Sequence, residues 1–376
     1  MFLSSVSIII VTFGLYGLFL LCFSIKDKSV KKTFKQSFSP FISVILPTYN
    51  EGQYIRKKIK NLMKTTYNQK KIEIIIVDDS TEKASKSKIS KIAQEFPNIK
   101  VHSSNVRRGY SKSLLDGFKL AKGEIIIITD CGSLYELTTI NELIHPFEDP
   151  KIGGVTGAAF ILNQNEQSGK SEIFYRKIYN FMRKSESNAD STFHFHGEVS
   201  AVRKELLDKL RCFPTNLDIA IAFHIRKQGY KVLFNPKAKF SEYTPIKFNE
   251  RVKQKSLRAS GLILVLLGYR GMFSPQYGLF GLIIYPAHLS MMVLCPLSIL
   301  SGFFSFLYLI GADPNTGLFL LLIISIIAAV LIFIIKRELI VNIFQLEIAL
   351  LQGIWNAFTS KNEVMYIERI DSTRRS

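Results

Sequence analysis

At 376 residues, 47% of them apolar, the chain can hold one large or two modest domains, and its apolar residues are bunched rather than spread. A net charge of +19 raises nucleic acid as a partner, but much of that charge flanks long apolar runs, where lipid headgroups are the simpler partner and nucleic acid is not expected. The four cysteines, Cys22, Cys131, Cys212 and Cys295, show no CxxC spacing, which excludes a disulfide scaffold and a structural zinc site.

Phe2 to Ile25 is almost uncharged and long enough to cross a bilayer, so residues 1–25 are expected to be a transmembrane anchor. A cleaved signal peptide is the competing assignment, but the segment lacks a basic region before it and a small-residue cleavage site after it. A linker over 26–40 carries Lys26, Lys28, Lys31, Lys32 and Lys35, which places the residues beyond it on the cytoplasmic side. Residues 41–245 then alternate strands and helices. Strands are expected at Phe41–Leu46, closed by Pro47, and at Ile72–Val77, Ile99–His102, Glu124–Asp130 and Gly153–Leu162. Helices are expected at Glu51–Lys64, around Ile89–Phe96, and at Ser111–Ala121 and Ser171–Ser187. Continuous β-branched runs such as IEIIIV and IIII read as strands buried on both faces. The fold class is therefore α/β, a doubly wound and mostly parallel sheet with helices on both faces. Such sheets bind ligands at their carboxyl ends, where Asp78, Asp79 and Asp130 stand. The expected counter-charge there is a ligand base, a sugar hydroxyl or a divalent metal.

Residues 246–271 combine Lys247, Arg251, Lys253, Lys255, Arg258 and Arg270 with apolar residues, the composition of an interfacial amphipathic segment. Transmembrane helices are expected at 278–310 and 317–335, joined by a loop whose one charge is Asp313 and followed by Lys336 and Arg337. Residues 336–376 hold a stretch, Leu339–Phe358, that is too polar for easy insertion, and then a tail. The expectation is a multi-pass membrane protein with three spans, a fourth being the alternative, and with its middle and C-terminus cytoplasmic.

Four motifs occur in order: Pro47-Thr48-Tyr49-Asn50-Glu51, Asp78-Asp79-Ser80, Thr129-Asp130-Cys131-Gly132, and Leu217-Asp218 eleven residues before Gly229. Together they resemble glycosyltransferase family 2, inverting enzymes with a GT-A nucleotide-sugar-binding, Rossmann-like fold, over roughly Phe41 to Gly261. The stretches FEDPKIGGVTG and FMRKSES ahead of HFHGE look like the membrane-bound polysaccharide-synthase branch. The resemblance implies a donor nucleotide site at Pro47, Thr48, Tyr49, Glu51, Asp78, Asp79, Lys112 and Asp130. Tyr49 suits packing on a base and Asp79 suits accepting from base or ribose; a plain surface tyrosine and a helix-capping aspartate are the alternatives. Asp130 stands where the family has Asp-x-Asp and would hold Mg²⁺ or Mn²⁺, but Gly132 replaces the second aspartate. Alternatively Arg107, Arg108 or Lys112 neutralises the leaving diphosphate.

By the same resemblance Asp218 is the catalytic base, taking the acceptor hydroxyl's proton opposite the leaving group; a plain helix cap is its alternative. His194-Phe195-His196-Gly197-Glu198 resembles the segment lining the acceptor pocket of polysaccharide synthases, so His196, Gly197 and Glu198 are acceptor-side candidates. Gln254, Lys255 and Arg258 approximate a Gln-x-x-Arg-Trp motif, one residue out of step and with Ala259 where the tryptophan is expected; they are candidates for contact with acceptor or diphosphate. The implied protein is a membrane-bound hexosyltransferase with a nucleotide diphosphate-sugar donor, a glycan or lipid-linked acceptor, and membrane lipids as partners. The alternatives are transfer of a single sugar to a polyprenyl phosphate or glycolipid, and an inactive membrane scaffold of the same fold.

Overall fold

A computed structural model describes residues 2–25, 38–104, 106–162, 167–213, 216–242, 248–312 and 337–359, with isolated positions between Ala312 and Arg337. The expected span at 317–335 lies outside these, apart from single positions. The centre of the molecule is an eight-stranded sheet built from β1 (Ile42–Thr48), β2 (Ile72–Asp78), β3 (Ile99–Ser103), β4 (Ile125–Ile128), β5 (Leu134–Tyr135), β6 (Ile152–Ile161), β7 (Ser200–Arg203) and β8 (Lys231–Glu242). Their order is β3-β2-β1-β4-β7-β6-β8-β5.

β1 and β2 are buried at every position, as their unbroken apolar runs require, and β2, β1 and β4 pair in parallel. The register sets Thr48 against Asp78 and Ile45 against Ile128, so Asp130, two residues beyond β4, ends level with Pro47. On one face α2 (Gly52–Met63) buries Ile55, Ile59 and Leu62, and α3 (Lys83–Glu95) buries Ile89 and Ile92. On the other, α4 (Tyr110–Leu120) buries Leu114 and Phe118.

Beyond β4 the sheet is mixed. β7 runs antiparallel to both β4 and β6, and β5 to β8, whereas β6 and β8 are parallel. β7 has four residues and β5 two, too short for a legible pattern. β8 is interrupted at Pro236, where the register against β6 shifts between Thr156 and Ala158. A short α5 (Thr139–Ile144) and the long α6 (Gln167–Ala189) flank this half. α7 (Leu217–Lys227) ends at Gly229, whose φ of +89° is the left-handed turn that stops the helix.

The apolar helices do not form a separate body. α1 (Phe2–Ser24) lies along α9 (Phe280–Ala312), with Ser5 against Ser301 at 2.9 Å and Thr12 against Ser290 at 2.7 Å. α8 (Phe248–Gly268) and α10 (Arg337–Thr359) pack side by side. The core on the α4 face continues through Phe223 of α7 and Leu262 and Val265 of α8 to Phe280, Tyr285 and Met292 of α9. One face of α8, in the basic segment expected at the headgroup boundary, thus packs into the core on the α4 side of the sheet.

Candidate active site

At the end of β1, Asn50 turns the chain with a left-handed φ of +55°. Its Oδ1 accepts from the N–H groups of Thr81 (3.1 Å) and Glu82 (3.2 Å), tying the loop after β1 to the loop after β2. Pro47 and Thr48 are buried, and Tyr49 and Glu51 are half-buried in that loop. The Arg107 guanidinium lies 4.3 Å from the centre of the Tyr49 ring. Asp78 and Asp79 are closed off from solvent. Asp78 Oδ1 accepts from the Ser80 N–H at 3.0 Å. Asp79 accepts from the N–H groups of Arg108 (2.8 Å) and Gly109 (2.7 Å), fixing the loop that enters α4. Asp78 Oδ2 also accepts from the Ser103 hydroxyl at 3.5 Å, so backbone and side-chain donors together hold this pair; Lys112 stands exposed in the first turn of α4.

Asp130, half-buried, begins a tight turn in which its Oδ1 accepts from the Ser133 N–H at 2.8 Å. The Lys58 ammonium, fully buried, donates to the Ser133 carbonyl (2.7 Å) and hydroxyl (3.0 Å) from beneath. The Glu198 carbonyl accepts from Thr129 Oγ1 (3.0 Å) and the Tyr135 hydroxyl (2.9 Å). The turn at Asp130 and the segment carrying Glu198 are therefore bolted together.

His196, Gly197, Glu198 and Asp218 are all half-buried and adjoin one another. A Cβ built on Gly197 would lie 2.9 Å from the Tyr110 hydroxyl and 3.5 Å from Asp218 Oδ2, so this glycine lets the segment close on the carboxylate. Asn216, at φ +54°, donates its side-chain amide to the Arg258 carbonyl at 2.6 Å and so ties the start of α7 to α8. Arg258 in turn reaches Glu198 Oε1 at 3.8 Å. Burial and the nearby Glu198 charge push the Asp218 carboxyl up to about 6. Burial and the Arg183 charge drive the His196 imidazole down to about 3, so it is neutral, accepting from Arg183 at Nε2 with Nδ1 3.5 Å from Glu198. Burial opposes the Glu198 charge, but His196, Arg258 and Arg176 outweigh it and hold the carboxyl below the ordinary range.

Of the candidate residues, the structure brings Asp130, His196, Gly197, Glu198, Asp218 and Arg258 together. The Lys255 ammonium stands 5.2 Å from the centre of the Tyr175 ring, and the Gln254 side chain is outside the described residues. Glu242, at the end of β8, was not legible as part of the site. It pairs with Arg176, and burial, with the charges of Glu198 and Asp130, pushes it up to about 7. Tyr110, Arg176 and Arg183 also lie outside the four motifs. The one trace of the arginines is their spacing along α6. Among the described residues no group of three or more His, Cys, Asp or Glu side chains is placed to hold a metal ion.

Gly197→Ala is expected to lower turnover about tenfold with little change in melting temperature, because the new methyl displaces the Tyr110 hydroxyl and comes into contact with Asp218. The double variant with Tyr110→Phe, which removes the closest clashing atom, recovers part of the loss in the same transfer assay. Wild-type turnover in the single variant would rule out the close approach as a constraint.

The sequence model of glycosyl transferase family 2 matches residues 43–211. The chain is 27% identical over 244 residues to a dolichyl N-acetyl-alpha-D-glucosaminyl phosphate 3-beta-D-2,3-diacetamido-2,3-dideoxy-beta-D-glucuronosyltransferase of Methanococcus voltae, covering 61% of this chain and 75% of the relative. It is 26% identical over 231 residues to poly-beta-1,6-N-acetyl-D-glucosamine synthase of Staphylococcus aureus, covering 60% of this chain and 55% of the relative, so the match spans about half the synthase. Its structure superimposes on a mannosyltransferase from Pyrobaculum calidifontis, solved with GDP-Man and Mn²⁺, with a TM-score of 0.76 and 23% identity over 95% of this chain and 98% of that one. The fold is GT-A. Residues 43–211 therefore carry a glycosyl transferase family 2 domain, and the chain is a glycosyltransferase.

Proposed function

We propose that the chain is a membrane-bound inverting enzyme that moves a sugar from a nucleotide diphosphate-sugar to a glycan or lipid-linked acceptor at the cytoplasmic membrane face. The observation that supports this is that Glu198 joins two carboxylates: its carbonyl is tied to Thr129 beside Asp130, and its charge helps push Asp218 up to about 6. Tyr49 under Arg107 offers a flat face for the base, and Asp79 fixes the loop beside it. Asp218 takes the proton from the acceptor hydroxyl as that oxygen attacks the anomeric carbon. Gly197 gives the acceptor segment its close approach, and Arg258 with Glu198 sets the field around the base.

Asp130 fits a divalent cation as a lone protein carboxylate, half-buried, oxygen-donating and near the Glu198 and Glu242 charges. Magnesium uses one or two carboxylates with phosphate oxygens in this way, which suits the loss of the second aspartate at Gly132. A bound Mg²⁺ or Mn²⁺ supplies positive charge for the departing diphosphate.

Support for the membrane comes from α1 and α9, where 11% and 17% of the most apolar window is buried; leaving such helices in water would be costly. At 33 residues α9 is about 50 Å long, more than the hydrocarbon core requires. The lysines after α1 support the cytoplasmic orientation. One observation favours the second reading, transfer of a single sugar to a lipid-linked acceptor. Phe160 and Leu162, each 42% exposed, place apolar surface at the end of β6, where the Leu162 N–H donates to the Glu242 carbonyl beside the cleft.

Membranes containing the chain, incubated with radiolabelled sugar donors and a divalent ion, are expected to yield labelled product. Label that enters organic solvent identifies a lipid acceptor, and a ladder of sizes identifies a growing glycan. No product with any common donor would contradict the proposal and favour the inactive scaffold.

A further inference from the structure

α6 carries polar side chains at Arg176, Tyr179, Arg183 and Glu186, a spacing that puts them on one face of the helix, and Asp190 follows directly after its last residue. Along this stripe Arg176 pairs with Glu242 and Arg183 donates to His196. Asp190 accepts from Arg226 at 3.1 Å and from the Phe280 N–H at 3.2 Å. Glu186, between them, is completely buried and holds four donors. Its Oε1 accepts from the Tyr16 hydroxyl (2.5 Å) and stands 2.7 Å from His288 Nε2. Its Oε2 accepts from the Phe193 N–H (2.9 Å) and Thr192 Oγ1 (3.3 Å). The His288 ring stacks on Phe193, centroids 3.8 Å apart.

Tyr16 lies eight residues before the end of α1 and His288 eight residues into α9, which puts each about 12 Å along its helix from that end. A catalytic-domain carboxylate held at that depth is tolerable only with its lone pairs filled. The segment it holds has no regular secondary structure between Ser191 and Val199, so hydrogen bonds to its neighbours fix its course. Besides Glu186, these include Val232, whose carbonyl accepts from the Thr192 N–H at 2.9 Å, and Thr156, whose Oγ1 accepts from the His196 N–H at 2.9 Å. Three residues past Phe193 come His196, Gly197 and Glu198, which set the surroundings of Asp218.

We propose that Glu186 is a positioning residue that locks the Phe193–Glu198 segment onto α1 and α9, making those helices a working part of the acceptor side and not only an anchor. This rests on Asp218 being the base of the transfer reaction. Glutamine at 186 keeps the shape but replaces one accepting oxygen with a donor, so two of the four contacts lose their acceptor. Tyr16→Phe removes one contact from the helix α1 side alone, far from the cleft.

The test uses the full chain in detergent or nanodiscs, with turnover, acceptor KM and donor Kd measured on the monodisperse, folded fraction. Glu186→Gln is expected to lower kcat about 10- to 100-fold, the scale of a displacement near 1 Å, with donor Kd unchanged. Tyr16→Phe is expected to lower kcat about 3- to 10-fold, again with donor Kd unchanged, as for one lost hydrogen bond to a carboxylate. Lowered melting temperature with wild-type kcat per folded molecule would mean a purely structural role and overturn the inference. If Glu186→Gln yields no folded protein, Tyr16→Phe decides alone, and unchanged kcat in it overturns the inference. Absence of transfer in the wild type, or its persistence in Asp218→Asn, would instead overturn the reading beneath it.

Discussion

Replacing Asp218 by asparagine is expected to reduce sugar transfer about a thousandfold or more while leaving donor affinity within about twofold of wild type. The side chains are nearly the same size, so the α7 start keeps its tie to Arg258 through Asn216. What disappears is the ability to accept a proton. A positioned base contributes roughly 10²–10⁴-fold, and the carboxyl is well suited to this task because burial and Glu198 bring it to about 6. Donor affinity is spared because Tyr49, Arg107 and Asp79 stand at the ends of β1 and β2 and the loop before α4, away from α7. Isothermal titration with the nucleotide and a radiolabel transfer assay on the same preparation separate the two effects. Transfer within tenfold of wild type would remove Asp218 from the role of base.

Asp79→Ala is expected to weaken donor binding about 100-fold or more and to lower the melting temperature. The aspartate is sealed from water and accepts from two backbone N–H groups, those of Arg108 and Gly109. Removing the acceptor strands those donors at about 1–3 kcal/mol each. The loop then relaxes, and Arg107 leaves the Tyr49 ring with it. Asp79→Asn retains one accepting oxygen and is expected to fall between the two. A wild-type donor Kd in Asp79→Ala would show that the loop has no part in the donor site.

The parallel half of the sheet was legible because the isoleucine runs of β1, β2 and β4 are buried on both faces, a pattern few other environments demand. α3 begins at Lys83, six residues ahead of the expected Ile89, because its first turn is largely polar and buries only Ser85. β8 stayed hidden because Pro236 and the accompanying register shift break its alternation. Its last residue, Glu242, was hidden with it. Asp78 and Asp79 were visible as residues but not in their contacts. The donors that satisfy Asp79 are backbone N–H groups about thirty positions along the chain, which leave no trace in side-chain identity. Asp218 was visible through its family motif and Glu198 through the HFHGE segment, whereas Tyr110 comes beside them only through the close approach at Gly197. The polar stripe of α6 was present as spacing, but a charged stripe on a helix ordinarily faces solvent, and only packing against α1 and α9 gives it meaning.

The most direct measurement is the pH dependence of kcat/KM for transfer. A base is active when deprotonated, and Asp218 has its carboxyl raised to about 6, so activity is present above that pH and lost as pH falls through it. The expected profile is level near neutrality and drops about tenfold per unit below about pH 6, with donor Kd steady over the same range. A profile that stays level down to about pH 4.5 in folded protein would contradict Asp218 as the base in the shared cleft.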